Sequence, residues 1–206
     1  MRRVAEYRGE ATYAVRVAGV ERKLPIIPLG PVEILGEVLE AYIASDHELI
    51  LGDVEFLAAA ARGLAELIRP YRPEVLLAPE AKSIALAYGV ARELGLPRFV
   101  VARKSVKAYM GGHIAVEVNA ITTKEKQRLV LDRDSADYLR GRRVCLIDDV
   151  VSTGSTMRAL EELAKAAGAQ VACRAAIWVE GPWVEDDEVL RLGELPIFVK
   201  GAGGGI

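Results

Sequence analysis

Residues 144–156 read Val144-Cys145-Leu146-Ile147-Asp148-Asp149-Val150-Val151-Ser152-Thr153-Gly154-Ser155-Thr156, and the type of fold follows from them. Four apolar residues in a row predict a strand buried on both faces, the habit of parallel sheets. They deliver two carboxylates to the carboxyl end of that strand, where open α/β sheets bind ligands. A small, hydroxyl-rich turn centred on Gly154 comes next. A helix then carries Met157, Leu160, Leu163, Ala164 and Ala167 on one face and ends at Gly168. The turn can present backbone N–H groups and the hydroxyls of Ser152, Thr153, Ser155 and Thr156 to one anion, aided by the positive end of the new helix. Asp148 and Asp149 would point to opposite faces of a regular strand. Either the backbone turns there and both acids touch one ligand, or one of them braces the loop.

Outward from this run the pattern repeats. Val54, Leu57, Ala58, Ala61, Leu64, Ala65 and Ile68 mark a helix capped by Asp53 and stopped by Pro70 and Pro73. Val75–Ala78 and Phe99–Ala102 are two further buried strands, with a helix over 84–94 between them closed by Gly95 and Pro97. Val171–Val179 is a fourth strand. This alternation predicts an α/β fold with a mostly parallel central sheet flanked by helices. Within residues 105–128 and just beyond, Ile114–Val118 and Arg128–Leu131 have strand character around a polar stretch, which predicts a flexible hairpin loop. The ends, about residues 1–45 and 181–206, leave the alternation and are expected to form a small cap, or hood, on a core of about 50–180, all within one domain. The acidic run 185–188 reads as a solvated helix start, and Gly201–Gly205 as a flexible tail.

Composition bounds the function. The chain has 206 residues, 51% hydrophobic and 27% charged, with a formal net charge of −2. That balance lacks the basic signature of a general nucleic-acid binder. Charge-free stretches such as Ser83–Ala91 fall far short of the ~18–20 apolar residues of a membrane helix. The start, Met1-Arg2-Arg3-Val4-Ala5-Glu6, shows no signal-peptide pattern. Cys145 and Cys173 each sit in an apolar run and are expected to be lone buried thiols in a reduced compartment, so a cytoplasmic protein without membrane or nucleic-acid partners is expected. Asn119, Gln127 and Gln170 are the only side-chain amides, a composition that hints at a heat-adapted source. His47 and His113 lack ligand-spaced partners. No Gly-x-x-x-x-Gly-Lys-Ser/Thr phosphate loop occurs.

The run 144–156 resembles the phosphoribosyl-diphosphate (PRPP) signature of the type I phosphoribosyltransferases: an apolar strand, paired acids, then Thr-Gly-x-Thr. The resemblance implies that Thr153, Gly154, Ser155 and Thr156, with Ser152, hold the 5'-phosphate, and that Asp148 and Asp149 hold the ribose hydroxyls. Pro79-Glu80-Ala81-Lys82-Ser83 looks like the family's pyrophosphate loop. Arg103-Lys104, followed by Lys107, resembles the Arg-Lys of adenine phosphoribosyltransferases, to which the chain is most similar. Cations this close suit a diphosphate leaving group, whose oxygens gain charge as the C1'–O bond breaks. Asp148, Asp149 and Lys107 are the expected catalytic residues.

From the resemblance follow also a homodimer, Mg²⁺ carried by PRPP and water rather than by direct protein ligands, and a loop over 105–128 that closes on the site, hinged near Tyr109-Met110-Gly111-Gly112. In the family that loop offers a Tyr or Glu-Tyr. Counting back from Arg142, the matching stretch here is Thr122-Thr123-Lys124-Glu125, which leaves Glu125, Lys124 or main-chain groups as candidates for a loop acid. The purine site is expected under the hood, against Arg22–Leu29, with Ile26, Ile27 and Val150 as base contacts. The expected reaction is adenine plus PRPP giving AMP and pyrophosphate. A 6-oxopurine or pyrimidine enzyme of the same mechanism, and a non-enzymatic PRPP sensor on the same fold, are the alternatives.

Overall fold

The computed structural model describes residues 3–34, 36–118, 127–185 and 188–200. Four strands come first: β1 (Val4–Glu6), β2 (Thr12–Val17), β3 (Val20–Ile34) and β4 (Glu37–Ala44). Then follow α1 (His47–Gly52), α2 (Val54–Ile68), β5 (Val75–Pro79), α3 (Ser83–Leu94) and β6 (Phe99–Ala102). A hairpin of β7 (His113–Val118) and β8 (Gln127–Asp132) leads through α4 (Arg133–Leu139) to β9 (Arg143–Val151). The chain continues through α5 (Ser155–Ala166), β10 (Gln170–Glu180), β11 (Leu190–Leu195) and β12 (Ile197–Val199).

The central sheet has the order β11-β10-β9-β5-β6, and every pairing in it is parallel. Its strands are apolar on both faces because both are covered. Leu76, Ala78, Cys145 and Ile147 pack with Phe56, Leu64, Ile68, Leu86 and Val90 on the side of α2 and α3. Val75, Leu77, Val144 and Leu146 pack with Leu139, Leu160 and Leu163 on the side of α4 and α5. The period of two along each strand divides one run of residues between two cores. Asp53 caps α2 by accepting from the Phe56 N–H at 2.9 Å, and Gly95 ends α3 with a φ of +71°, both as the sequence predicts.

A second sheet, ordered β1-β12-β4-β3-β2, is built from the two ends of the described chain. β3 pairs antiparallel with β2 through its first half and with β4 through its second, with a register shift between Pro28 and Gly30. Its prolines at 25, 28 and 31 hide this strand from a pattern reading, since proline cannot donate to a ladder. Arg22 on β3 ties the sheet to the core, reaching Asp53 at 2.8 Å and Glu55 at 2.7 Å. The Arg22 hydrogen bond first, and then that from the Phe56 N–H, hold the Asp53 carboxyl below its usual range.

Three expectations change. Cys145 and Cys173 are not lone thiols but a disulfide. They are register partners on β9 and β10, with Cα atoms 4.6 Å apart, and strand order, which spacing does not reveal, brings them together. Leu190–Leu195, placed with the cap by its sequence, is an edge strand of the central sheet. Of the acidic run 185–188, positions 186 and 187 lie outside the described residues, and Glu188 and Val189 lead into β11 rather than into a helix. The polar tip containing Thr122–Glu125 and the tail Gly201–Gly205 lie outside the described residues. Among the described residues, no helix is long and apolar enough to cross a membrane.

Candidate active site

β9 runs on through both acids to Val151, so the backbone does not turn before them. What gathers the two carboxyls is Ser83, the first residue of α3. Its hydroxyl donates to Asp148 Oδ1 at 2.7 Å and lies 3.4 Å from Asp149 Oδ1. Asp148 Oδ1 also accepts from the Asp149 N–H at 2.9 Å. Burial, and then the neighbouring Asp149 charge, push the Asp148 carboxyl well above its ordinary range. Asp148 therefore braces the loop, while Asp149 presents its charge, with Lys82 Nζ 4.0 Å from its Oδ2.

The loop between β5 and α3 is fixed from the other side as well. The peptide between Glu80 and Ala81 is cis, and the Glu80 N–H donates to the Ala102 carbonyl at 2.9 Å. The Glu80 carboxylate accepts from the Lys104 N–H at 2.6 Å and lies 2.5 Å from Arg103 Nε. Arg103 in turn exchanges backbone hydrogen bonds with Val130 of the hairpin, at 2.8 and 2.7 Å. This bridge holds β8 beside the end of β6 and brings Arg128 to the site.

Two cavities result. The first, about 200 Å³, is lined by Pro79–Ser83, Lys104, Arg128, Leu129, Asp148, Asp149, Val150 and Thr156. The second, about 240 Å³, lies under the second sheet. Leu24, Ile43, Ala44, Ile50, Val150, Trp178 and Leu195 give it apolar walls, and Ser45, Asp46, Lys82, Asp149, Ser152 and Glu180 its polar groups. Lys82, Asp149 and Val150 belong to both. The two chambers thus share a wall bearing the Asp149 carboxyl and the Lys82 ammonium.

Comparison with known proteins fits this arrangement. A family model described as phosphoribosyl transferase domain matches residues 47–193. The chain belongs to the phosphoribosyltransferase family. The adenine phosphoribosyltransferase of Lactobacillus delbrueckii subsp. bulgaricus is 34% identical over 142 residues, covering 68% of this chain and 77% of that one. That of Corynebacterium kroppenstedtii is 29% identical over 195 residues, covering 90% and 91%. Among solved structures, the adenine phosphoribosyltransferase of Thermoanaerobacter pseudethanolicus shares the fold with a TM-score of 0.64 at 22% identity, covering 83% and 95%. The Giardia lamblia enzyme complexed with 9-deazaadenine does so at 0.63 and 19%, covering 82% and 93%.

In this phosphoribosyltransferase the sequence-predicted residues divide. Asp148, Asp149, Glu80, Ala81, Lys82, Ser83, Lys104 and Thr156 converge on the first cavity. Ser152 faces the second. Thr153 and Ser155 bond to each other across the turn at 3.2 Å. Gly154 supplies the φ of +76° from which α5 starts, and lines a separate cavity with Arg158. Arg103 and Lys107 do not line the first cavity: Arg103 is held by Glu80, and Lys107 Nζ bonds Ser105 Oγ at 2.7 Å. Glu80 lines the first cavity and also holds the Lys104 N–H and Arg103 beside it.

For the base, Val150 lines the second cavity but Ile26 and Ile27 do not. The alternation of β3 sends Leu24 inward and leaves Ile27 exposed. Arg128 and Glu180 were missed, Arg128 because a hairpin residue has no motif and Glu180 because it closes an apolar strand. Among the described residues no group of three or more His, Cys, Asp or Glu side chains is arranged to hold a metal ion.

Proposed function

We propose that this phosphoribosyltransferase transfers the phosphoribosyl group of PRPP to adenine, giving AMP and pyrophosphate. The observation that carries the reading is the shared wall of Lys82, Asp149 and Val150 between a cavity that gathers Lys82, Lys104 and Arg128 and one with walls of Leu24, Ile43, Ile50, Trp178 and Leu195. The diphosphate would occupy the first, the base the second, and the ribosyl C1' the junction. There the C1'–O bond breaks towards Lys82, Lys104 and Arg128, which stabilise the charge growing on the leaving oxygens. The C1'–N9 bond forms from the base side, and the N9 proton leaves with solvent or a loop group. The Asp149 carboxylate, held beside the junction, would accept from the ribose hydroxyls and favour the positive ribosyl centre. The helix start at Ser155 and Thr156 would take the 5'-phosphate. The rate gain is positioning and electrostatics, with no covalent enzyme intermediate.

Mg²⁺, as a hard and strongly hydrated ion, would be carried on diphosphate oxygens and water and would neutralise diphosphate charge. The donor set fits that role: of the three acids at the cavity, Glu80 is engaged by Lys104 N–H and Arg103 and Asp148 by Ser83, which leaves Asp149 rather than a cage of ligands. A homodimer is part of the proposal, supported by exposed Ile84 and Tyr88 one turn apart on α3, with Leu51 and Val54 exposed at the α1–α2 junction. So is a cytoplasmic setting. The disulfide is compatible with one in a heat-adapted organism, where intracellular disulfides are common, and the scarcity of amides points the same way.

The test is pyrophosphate release on incubation with PRPP, Mg²⁺ and each nucleobase in turn. Release with adenine is expected. Release with guanine, hypoxanthine or xanthine but not adenine sinks the substrate. PRPP binding without release on any base sinks the enzyme and favours a sensor.

A further inference from the structure

The second cavity contains a side chain that the reaction above leaves idle. Glu180, the last residue of β10, is 8% exposed and lines the cavity beside Trp178, Val150 and Leu195. Charged groups from three other elements line the same cavity. Asp149 stands at the end of β9, Lys82 comes from the loop before α3, and Asp46 lies between β4 and α1. Ser152 lines the cavity with it. Asp46 is already engaged, accepting from the Glu48 and Leu49 N–H groups. Burying a carboxyl among apolar walls is costly, and the packing does not need it. Its register partner on β11 is Leu195, and an apolar residue of similar size would fill the same space. A polar group kept at such a place is explained by what enters the cavity.

We propose that Glu180 is the specificity-determining residue of the base site, accepting a hydrogen bond from the exocyclic amine of a 6-aminopurine and rejecting 6-oxopurines, whose O6 would face its oxygens. This rests on the reading of the second cavity as the base site. An ionised carboxylate only accepts hydrogen bonds, whereas the protonated acid carries one O–H that can donate. The ionised form therefore suits an amine and opposes a carbonyl, and the protonated form tolerates both. Burial raises Glu180 to about 7; the Ser152 hydrogen bond and Lys82 work against that rise, and the Asp149 charge adds to it. Discrimination against 6-oxopurines consequently increases as pH rises through neutrality.

The experiment measures kcat/KM for adenine and for hypoxanthine at pH 6 and pH 8, in the wild type, Glu180→Gln and Glu180→Leu. PRPP affinity without base is titrated in parallel, and thermal unfolding checks each variant. Loss of a hydrogen bond to a charged group lowers kcat/KM for adenine by about tenfold to hundredfold in Glu180→Leu. PRPP affinity stays within about twofold, as expected of a side chain off the diphosphate cavity. In Glu180→Gln, whose amide can donate to O6, the adenine-to-hypoxanthine ratio falls by about tenfold and loses its pH dependence. That arm stands even if Glu180→Leu fails to fold. An adenine-preferring wild type whose Glu180→Leu variant keeps its adenine kcat/KM overturns the Glu180 assignment alone. So does a wild-type ratio that is flat between pH 6 and 8. A wild type that prefers a 6-oxopurine overturns the assignment and the proposed function together.

Discussion

The Ser83 hydroxyl donates to Asp148 Oδ1 at 2.7 Å, both groups being buried. This one bond fixes the start of α3 against the end of β9, and so sets the diphosphate loop against the acid pair. Ser83→Ala leaves a buried acceptor short of a partner, at a cost of about 1–3 kcal/mol in stability. Because the loop loses its anchor, the KM for PRPP should rise by about tenfold. Urea unfolding and steady-state kinetics check the two halves separately.

The paired acids should behave differently when neutralised. Asp148 is pushed well above the usual carboxylate range by burial and by the neighbouring Asp149 charge, so its site in the fold favours the neutral form. Asn at that position keeps an oxygen for Ser83 and an N–H for Asp149. Asp148→Asn should therefore retain the fold and lose less than about tenfold in kcat/KM. Asp149→Asn removes the charge at the junction of the cavities and should lose more than about a hundredfold. Equal losses in the two variants would refute this division of labour.

Glu80 is predicted to act through its neighbours. Glu80→Ala frees Arg103 and leaves the Lys104 N–H without its 2.6 Å acceptor. The KM for PRPP should rise severalfold while the KM for adenine stays unchanged. A variant that altered only the adenine KM would show that the carboxylate serves the base.

Arg128 should prove to be a diphosphate residue despite its place in the hairpin. Arg128→Ala is expected to weaken PRPP binding by about tenfold, the usual loss when one charge-assisted hydrogen bond goes. Arg128→Lys should recover part of the loss, and raised salt should narrow the gap between wild type and variant.

Glu180 also weighs on folding. The unfolded chain ionises this carboxyl above about 4.5, whereas the folded protein keeps it protonated until about 7. Between those values the native state binds more protons, so stability falls as pH rises. A displacement of this size corresponds to at most about 3 kcal/mol. Glu180→Gln should be more stable than the wild type at pH 8 and equal to it near pH 4.5, in denaturant titrations at both values.

Much of this molecule can be read from residues 75–180 of the sequence. Uninterrupted apolar runs announced β5, β6, β9 and β10, because strands buried on both faces need no polar alternation. The paired acids and the turn after them were legible for the same reason: chemistry that sits in consecutive residues survives as a motif. The second sheet was not legible, since β3 carries three prolines and is assembled by partners far apart in the chain. Arg128, Glu180 and the Cys145–Cys173 pair depend on strand order and register, which no spacing along the chain encodes. Ile26 and Ile27 have the right character for a base contact, but the pleat of β3 turns Ile27 outward, and Ile26, on the face of Leu24, packs against the core rather than lining the cavity.

A single residue, Pro196, separates β11 of the central sheet from β12 of the second sheet. Leu195, just before it, lines the second cavity, and Ile197, just after it, is fully buried between β1 and β4. The two sheets are therefore stitched together at the cavity's own wall, by a residue whose φ is fixed by its ring. A roof fastened this way cannot swing like a door. The base should meet a slot whose width is set when the chain folds, so its selection precedes any motion of the hairpin and does not depend on it.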